Sequence, residues 1–300
     1  MDITVHTRQR RLSRITGVHW TVSLPTVTRP KRWSRTLIWG ITLAAAIGLL
    51  AAFSESIAPY DIAKLAPADR LQGPSTQHFF GTDIYGRDLF SRVLVGARLS
   101  LTVAGIAVGL AALPGIFLGI VSGMNPGWLS NSFSRVMDAW MAVPGLLLAI
   151  AFTAAFGRST FVLAVALGLI GIPTYYRQAR AETLGVQNEL YVESARSLGA
   201  KEFHILLRHV LPNVLPTLTV LITLRVGSIL LAVSGLSFIG LGAQPPEPEW
   251  GALLAEGRDY AQQAWWLTFF PGAAIAFTVF ALNLLGDGLR DLLDPNLQVK

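Results

Sequence analysis

Few residues in this 300-residue chain have the types and spacing that chemistry requires. The five histidines are scattered, and the nearest two, His204 and His209, stand five apart, a poor spacing for two ligands on one helix face. There is no HExxH pair to hold zinc and no GxxxxGK[ST] loop to cradle phosphate. No serine sits in a recognisable nucleophile elbow. With no cysteine, a thiolate site and a disulfide framework are both excluded. The chain therefore reads as one that catalyses nothing alone. Two features remain. One is a charged, amphipathic island, LYVESARSLGAKEFHILLRHVLPNVLP, at residues 190–216 between two long apolar runs. The other is a single arginine, Arg225, near the middle of the second of those runs. The island can be gripped by another molecule, and the arginine can pair with an acid or meet an anion.

The island must be held by two short helices. Tyr191, Ala195 and Leu198 recur at helical spacing, which predicts a helix from Tyr191 to Leu198. Gly199 follows where a C-cap glycine lets the chain turn. A second short helix is expected from Lys201, carrying Phe203, Leu206 and Leu207 on one side, with Pro212 and Pro216 marking the entrance to the next run.

Composition sets the surroundings. The chain is 52% apolar and 14% charged, against about 25% charged in ordinary globular chains. Runs of about 20 apolar residues recur, the length a helix needs to cross a bilayer. The net charge of +6 comes from basic residues at the ends of those runs, a pattern of membrane orientation and not of nucleic-acid binding.

In chain order, residues 1–35 form a basic tail and 36–58 the first span, read as uncleaved. Residues 59–97 are an extended polar segment in which Gly81, Asp83 and Gly86 supply turn chemistry, and Asp88 to Arg98 is expected to be a short interfacial helix. A core over 98–286 then holds five more spans: about 99–122 with Pro114, 136–156 with Pro144, 160–176 with Pro173, 214–238 and 265–286. Small residues at Gly105, Gly109, Gly115, Gly119 and Gly123 are expected to let another helix approach the second span closely. Residues 287–300 are a tail. The fold class is thus an all-α integral membrane protein of six transmembrane helices.

Six spans put both termini on one side. That side carries sixteen Lys/Arg against seven opposite, so both termini and the island are expected in the cytoplasm. The polar loop after the fifth span, with Glu247, Glu249, Glu256 and Asp259, is then external.

The island resembles the cytoplasmic EAA loop of binding-protein-dependent ABC importer permeases, whose pattern is Glu-Ala-Ala, three residues, Gly, nine residues, Ile, any residue, Leu-Pro. Here Glu193, Ser194, Ala195, Gly199, His209, Leu211 and Pro212 keep that spacing, with Ser194 for an alanine and His209 for the isoleucine. The runs HFFGTDIYGRDLFSRVLVGARLSL, RVMDAWMAVPGLLLAI, LSFIGLGAQPPEPEWGALLAEGRDY and FFPGAAIAFTVFALNLLGDGLRDLLDP are similar to the C-type subunit of the dipeptide/oligopeptide branch. The resemblance covers residues 36–295.

It implies a type I importer permease fold in the bacterial inner membrane, with a coupling loop at about 178–213 seated in an ATPase. No cofactor is implied in this chain, ATP and Mg being held by the partner ATPases. The implied partners are a second, B-type permease subunit, two ATPase subunits or one fused ATPase, an extracytoplasmic solute-binding protein and the lipid bilayer, with no nucleic acid. The implied cargo is di- or oligopeptide, with nickel-chelate, glutathione or another small solute as alternatives. A self-contained secondary transporter is a further alternative, and it predicts an ion relay and inverted repeats that are not evident. Two positions depart from the family's pattern. Val233 stands where a glutamate commonly precedes LSFxGLG, and Arg225 is buried in a span, where an ionised side chain costs at least ~2.5 kcal/mol. Arg225 is expected either to meet a peptide carboxylate in the pathway or to pair with an acid on a neighbouring helix or subunit, Asp138 and Asp287 being candidates.

Overall fold

The computed structural model describes residues 34–293. The basic tail read over 1–35 lies outside these residues except for Ser34 and Arg35, as does the end of the chain after Leu293. Among the described residues the regular structure is helical, apart from one isolated antiparallel bridge between Thr82 and Asp88. The helices are α1 (Arg35–Ala52), α2 (Ser54–Ile57), α3 (Leu89–Met124), α4 (Trp128–Met141), α5 (Gly145–Phe156), α6 (Thr160–Gln187), α7 (Leu190–Ser197), α8 (Glu202–Ile205), α9 (Leu211–Phe238), α10 (Trp250–Arg258) and α11 (Trp266–Leu293), with a 3₁₀ turn at Pro67–Asp69 and a π-helical turn at Leu206–Val210.

Five helices are long and apolar enough to cross a membrane: α1, α3, α6, the α8–α9 rod and α11. The remaining expected span is not one straight helix. The span expected over 136–156 is instead α4 and α5, bent by 81° at residues 142–144. Pro144 causes the break, because it bars the residue before it from helical backbone. At 12 residues, α5 is about 18 Å long and falls short of the ~30 Å apolar core of a bilayer.

Three other boundaries also move. The interfacial helix expected at Asp88–Arg98 is the first turns of α3, a single 36-residue helix whose N-cap is Asp88. Helix α6 continues past the expected end of its span to Gln187, so only Asn188 and Glu189 separate it from α7. The second helix of the island is not a separate piece: Glu202 to Phe238 form one 37-residue rod. Pro212 and Pro216 lie inside it, and the π turn just before Pro212 widens the backbone where the proline ring meets the carbonyl four residues back.

Helices α3 and α6 are joined along a glycine seam. A Cβ on Gly119 would stand 2.5 Å from the Tyr176 carbonyl oxygen, and one on Gly115 would stand 2.7 Å from that of Ile172. Only hydrogen fits there, so the two backbones touch. Gly105 and Gly109, expected to serve the same purpose, face open space in this chain. The first and last spans make a similar approach, with Gly40 against the Leu285 backbone and Gly288 against that of Leu37.

Two ends result. At the cap end, the loops around 53–88 and 239–265 fold with α10 over a core that includes Leu89, Leu230, Trp250 and Leu267. At the lever end, α7 and α8 rest on Ile120 of α3 and Ala179 of α6.

Candidate functional site

The lever is built around Gly199. Helix α7 closes with the Gly199 N–H donating to the Arg196 carbonyl (3.0 Å) and the Ala200 N–H donating to that of Ala195 (3.1 Å). That pair of bonds is the Schellman ending, and it needs left-handed backbone at Gly199, whose φ is +85°. No atom lies within 4 Å of a Cβ built there, so the glycine is required by its dihedral and not by crowding within this chain. Arg196 clamps the corner. Its Nε donates to Glu202 Oε1 (2.8 Å) and one of its terminal nitrogens donates to Gln187 Oε1 (3.1 Å), tying α7 to both neighbours. The hydrogen bond from Arg196 holds the Glu202 carboxyl below the usual carboxylate range.

The lever's inward face is aliphatic. Val192, Ile205, Val210 and Val214 are fully buried and form the lever's own core. Phe203 and Leu207, grouped with Leu206 in the sequence reading, point outward while Leu206 is partly covered. Leu198 is 88% exposed, Phe203 69% and Tyr191 44%, and Leu190 is also open. The lever thus has two apolar faces, one packed on α3, α6 and α9 and one uncovered.

The seven motif residues lie together on this lever. Glu193 and Ser194 are exposed on α7, Ala195 is half-buried behind them, and Gly199 makes the corner. His209 is half-buried, with its ring 5.8 Å from that of Tyr191, and Leu211 and Pro212 open α9. His204 and His209 meet edge to face at 6.2 Å. Among the described residues no cluster of three or more His, Asp or Glu could hold a metal ion.

Arg225 stands 14 residues from the start of α9, about 20 Å and near the midplane of a spanning helix. It lines a crevice with Val108 and Ala111 of α3 and Gly171, Thr174 and Tyr175 of α6, with room for about one water molecule. The suggested partners are not brought to it. Asp138 is exposed on α4, Asp287 is exposed on α11, and no ion pair joins either to Arg225. Within this chain Arg225 and Asp138 form no ion pair, since α4 leaves the Asp138 side chain exposed. The Tyr175 hydroxyl in the same crevice is buried and has no hydrogen-bond partner among the described residues.

The cap end holds a cluster that sequence reasoning missed. Asp83 Oδ2 accepts from Arg87 Nε (2.6 Å) and from a terminal nitrogen of Arg92 (2.7 Å). The same nitrogen of Arg92 donates to Glu256 Oε2 (2.7 Å), and Arg87 donates there as well (2.9 Å). Two arginines and two carboxylates thus neutralise one another, with Arg92 1% exposed. Glu249 is also buried, capping α10 through the Ala252 N–H (3.0 Å) and accepting from Ser100 Oγ (3.1 Å). Two carboxylates of the loop expected to be external, Glu249 and Glu256, therefore turn inward. The signal was present in GTDIYGRD, whose Asp83 and Arg87 stand four apart, but their second partner lies 169 residues away.

Residues 115–299 match the family model described as the inner membrane component of binding-protein-dependent transport systems. The chain is 44% identical over 247 residues to a probable D,D-dipeptide transport system permease protein, DdpC, of Escherichia coli strain K12, covering 82% of this chain and 83% of that one. It is 45% identical over 251 residues to the glutathione transport system permease protein GsiD of Escherichia coli O6:K15:H31, covering 83% of each. The GsiD of Pectobacterium atrosepticum is 42% identical over 272 residues, covering 89% of this chain and 90% of that one. Among solved structures, a chain of the inward-facing MetNI methionine ABC transporter superposes with a TM-score of 0.55 at 17% identity, covering 68% of this chain and 97% of that chain, a likeness of fold.

Proposed function

The chain belongs to the family of binding-protein-dependent transport system inner membrane components, and from that premise we propose that it carries small peptides across the inner membrane under the drive of a partner ATPase. It is a permease subunit of an ABC importer. That sets aside the self-contained secondary transporter. In our reading this chain forms half of the pathway, a second, B-type permease forms the other half, and two ATPase domains hold ATP and Mg. An extracytoplasmic binding protein delivers the cargo to the cap end. Both termini and the lever lie in the cytoplasm, in keeping with the excess of Lys/Arg on that side.

One observation supports the coupling role above others. The rod Glu202–Phe238 runs unbroken from the lever corner through the membrane. A push on α7 need not cross a flexible joint to reach the middle of the span, since the only corner is the capped one at Gly199. The open apolar face of Tyr191, Leu198 and Phe203 is the surface an ATPase cleft would cover, with Glu193, Ser194 and Ala195 beside it. His209, Leu211 and Pro212 stiffen the start of the rod.

Peptide cargo rests on the D,D-dipeptide relative, and a glutathione-type tripeptide is a second reading that the GsiD relatives favour. The test is ATP-dependent uptake of alanyl-alanine and of glutathione by the complete importer in proteoliposomes. With Gly199→Asp, the permease is expected to insert and assemble with its permease partner, while uptake and ATPase binding fall together. Normal uptake with normal ATP coupling in that variant overturns the lever reading.

A further inference from the structure

We propose that the crevice between α3, α6 and α9 is a carboxylate-reading point in the pathway, formed by Arg225 and the Tyr175 hydroxyl. This rests on the reading of the chain as a peptide permease. Arg225 keeps its charge at any accessible pH and presents only donors. Neither a carboxylate nor any other acceptor among the described residues takes a hydrogen bond from it, although it sits near the middle of a spanning helix. Tyr175 lines the same crevice, and its hydroxyl is buried and likewise without a partner. Two helices thus bring unpartnered polar side chains to one crevice. The chemistry that completes such a set is a planar anion able to accept a forked pair of bonds from guanidinium and a further one from a phenol.

Every linear peptide presents one such group at its C-terminus whatever its side chains, so a point that reads it does not narrow the range of sequences carried. The crevice admits about one water-sized group. Its walls differ in attachment: α3 and α6 are zipped by the glycine seam, whereas α9 is the lever's own rod. Movement of the rod changes the separation between Arg225 and Tyr175, which lets a bound carboxylate be gripped and released in step with the ATPase.

A carboxylate from the second permease subunit would satisfy the same donors, and the experiment separates the two sources. The complete importer in proteoliposomes is given alanyl-alanine or its C-terminal amide, each at a concentration at which the binding protein is measured to be full. Wild type is expected to take up the acid about tenfold faster than the amide, the worth of one charge-assisted hydrogen bond. Arg225→Gln is expected to bring the two rates within about twofold, Arg225→Lys to keep only part of the preference because an ammonium keeps the charge and loses the fork, and Tyr175→Phe to reduce it about threefold.

An unchanged ratio in Arg225→Gln overturns the proposal. So does separation of the two permeases on size exclusion in Arg225→Gln with both probes falling equally and Tyr175→Phe keeping the full preference, since the acid is then the partner subunit's own. If wild type takes up neither probe in an ATP-dependent manner, the peptide-permease reading itself fails and this proposal fails with it.

Discussion

The two ends of the molecule are held together by opposite means. The cap is locked from within: Asp83, Arg87, Arg92 and Glu256 share five short contacts with three of the four side chains buried, and Glu249 pins α10 to α3. The lever is held from behind by aliphatic contacts at Val192, Ile205 and Val210, its charges are on the surface, and its outer face is uncovered. Buried charges resist change because separating any one of them strands another in a medium that cannot solvate it. Aliphatic packing with an open second face keeps its shape while leaving area for a partner. The cap is built to stay and the lever to be grasped.

The sharpest way to break that comparison is at Arg92. Arg92→Met leaves Asp83 and Glu256 with one arginine between them, and removal of one member of a buried charge cluster costs about 3–5 kcal/mol. The expected outcome is a large drop in the melting temperature of the detergent-solubilised permease, with cap-end amides exchanging first. A neutral result would mean the cluster is wetter than its geometry indicates.

The matching change at the lever should leave stability alone and remove binding. Leu198 and Phe203 are mostly exposed, so Leu198→Ser with Phe203→Ser is expected to shift the melting temperature little while weakening association with the ATPase at least about tenfold, as loss of a central apolar anchor does. Titration of the reconstituted permease pair with purified ATPase measures it. Stability loss without binding loss would make this face a lipid contact and not a docking one.

The smallest effect is expected at the Arg196–Glu202 pair. The Glu202 carboxyl is held below its ordinary range by Arg196, so its contribution is present above the ordinary carboxylate pKa and is lost as pH falls through the depressed value. Both side chains are largely solvated, which limits the pair to less than about 1 kcal/mol and makes it salt-sensitive. Exchange of α7 amides relative to those of Glu202→Gln should converge below the carboxylate range and in molar salt. Convergence already at neutral pH would remove the clamp from the account of the corner.

Much of this was legible because it is local. Apolar run length predicts a span wherever it occurs, and Gly199 was readable because a helix ending in left-handed backbone favours glycine irrespective of what surrounds it. The break at Pro144 was half legible: a proline in an apolar run marks a kink, but nothing nearby says whether the helix bends gently or turns by 81°. Periodicity could not say which face of the second lever helix packs inward, because Phe203 and Leu207 are as apolar as Ile205 and Val210, and a helix with two apolar faces has no single direction inward. The glycines of α3 were equally ambiguous, since Gly105 and Gly115 differ only in what stands opposite them.

That the chain lives in a membrane, where its lever turns and which family it resembles follow from composition, run length and spacing along the chain. Which charges neutralise one another, that the second lever helix and the fifth span are one rod, that the span expected over 136–156 is a bent pair, and that Arg225 shares a crevice with Tyr175 and not with Asp138 are decided by tertiary packing. Those pairings join residues up to 169 positions apart, and they depend on how helices of similar composition rotate about their axes and slide along one another, which side-chain types alone do not specify.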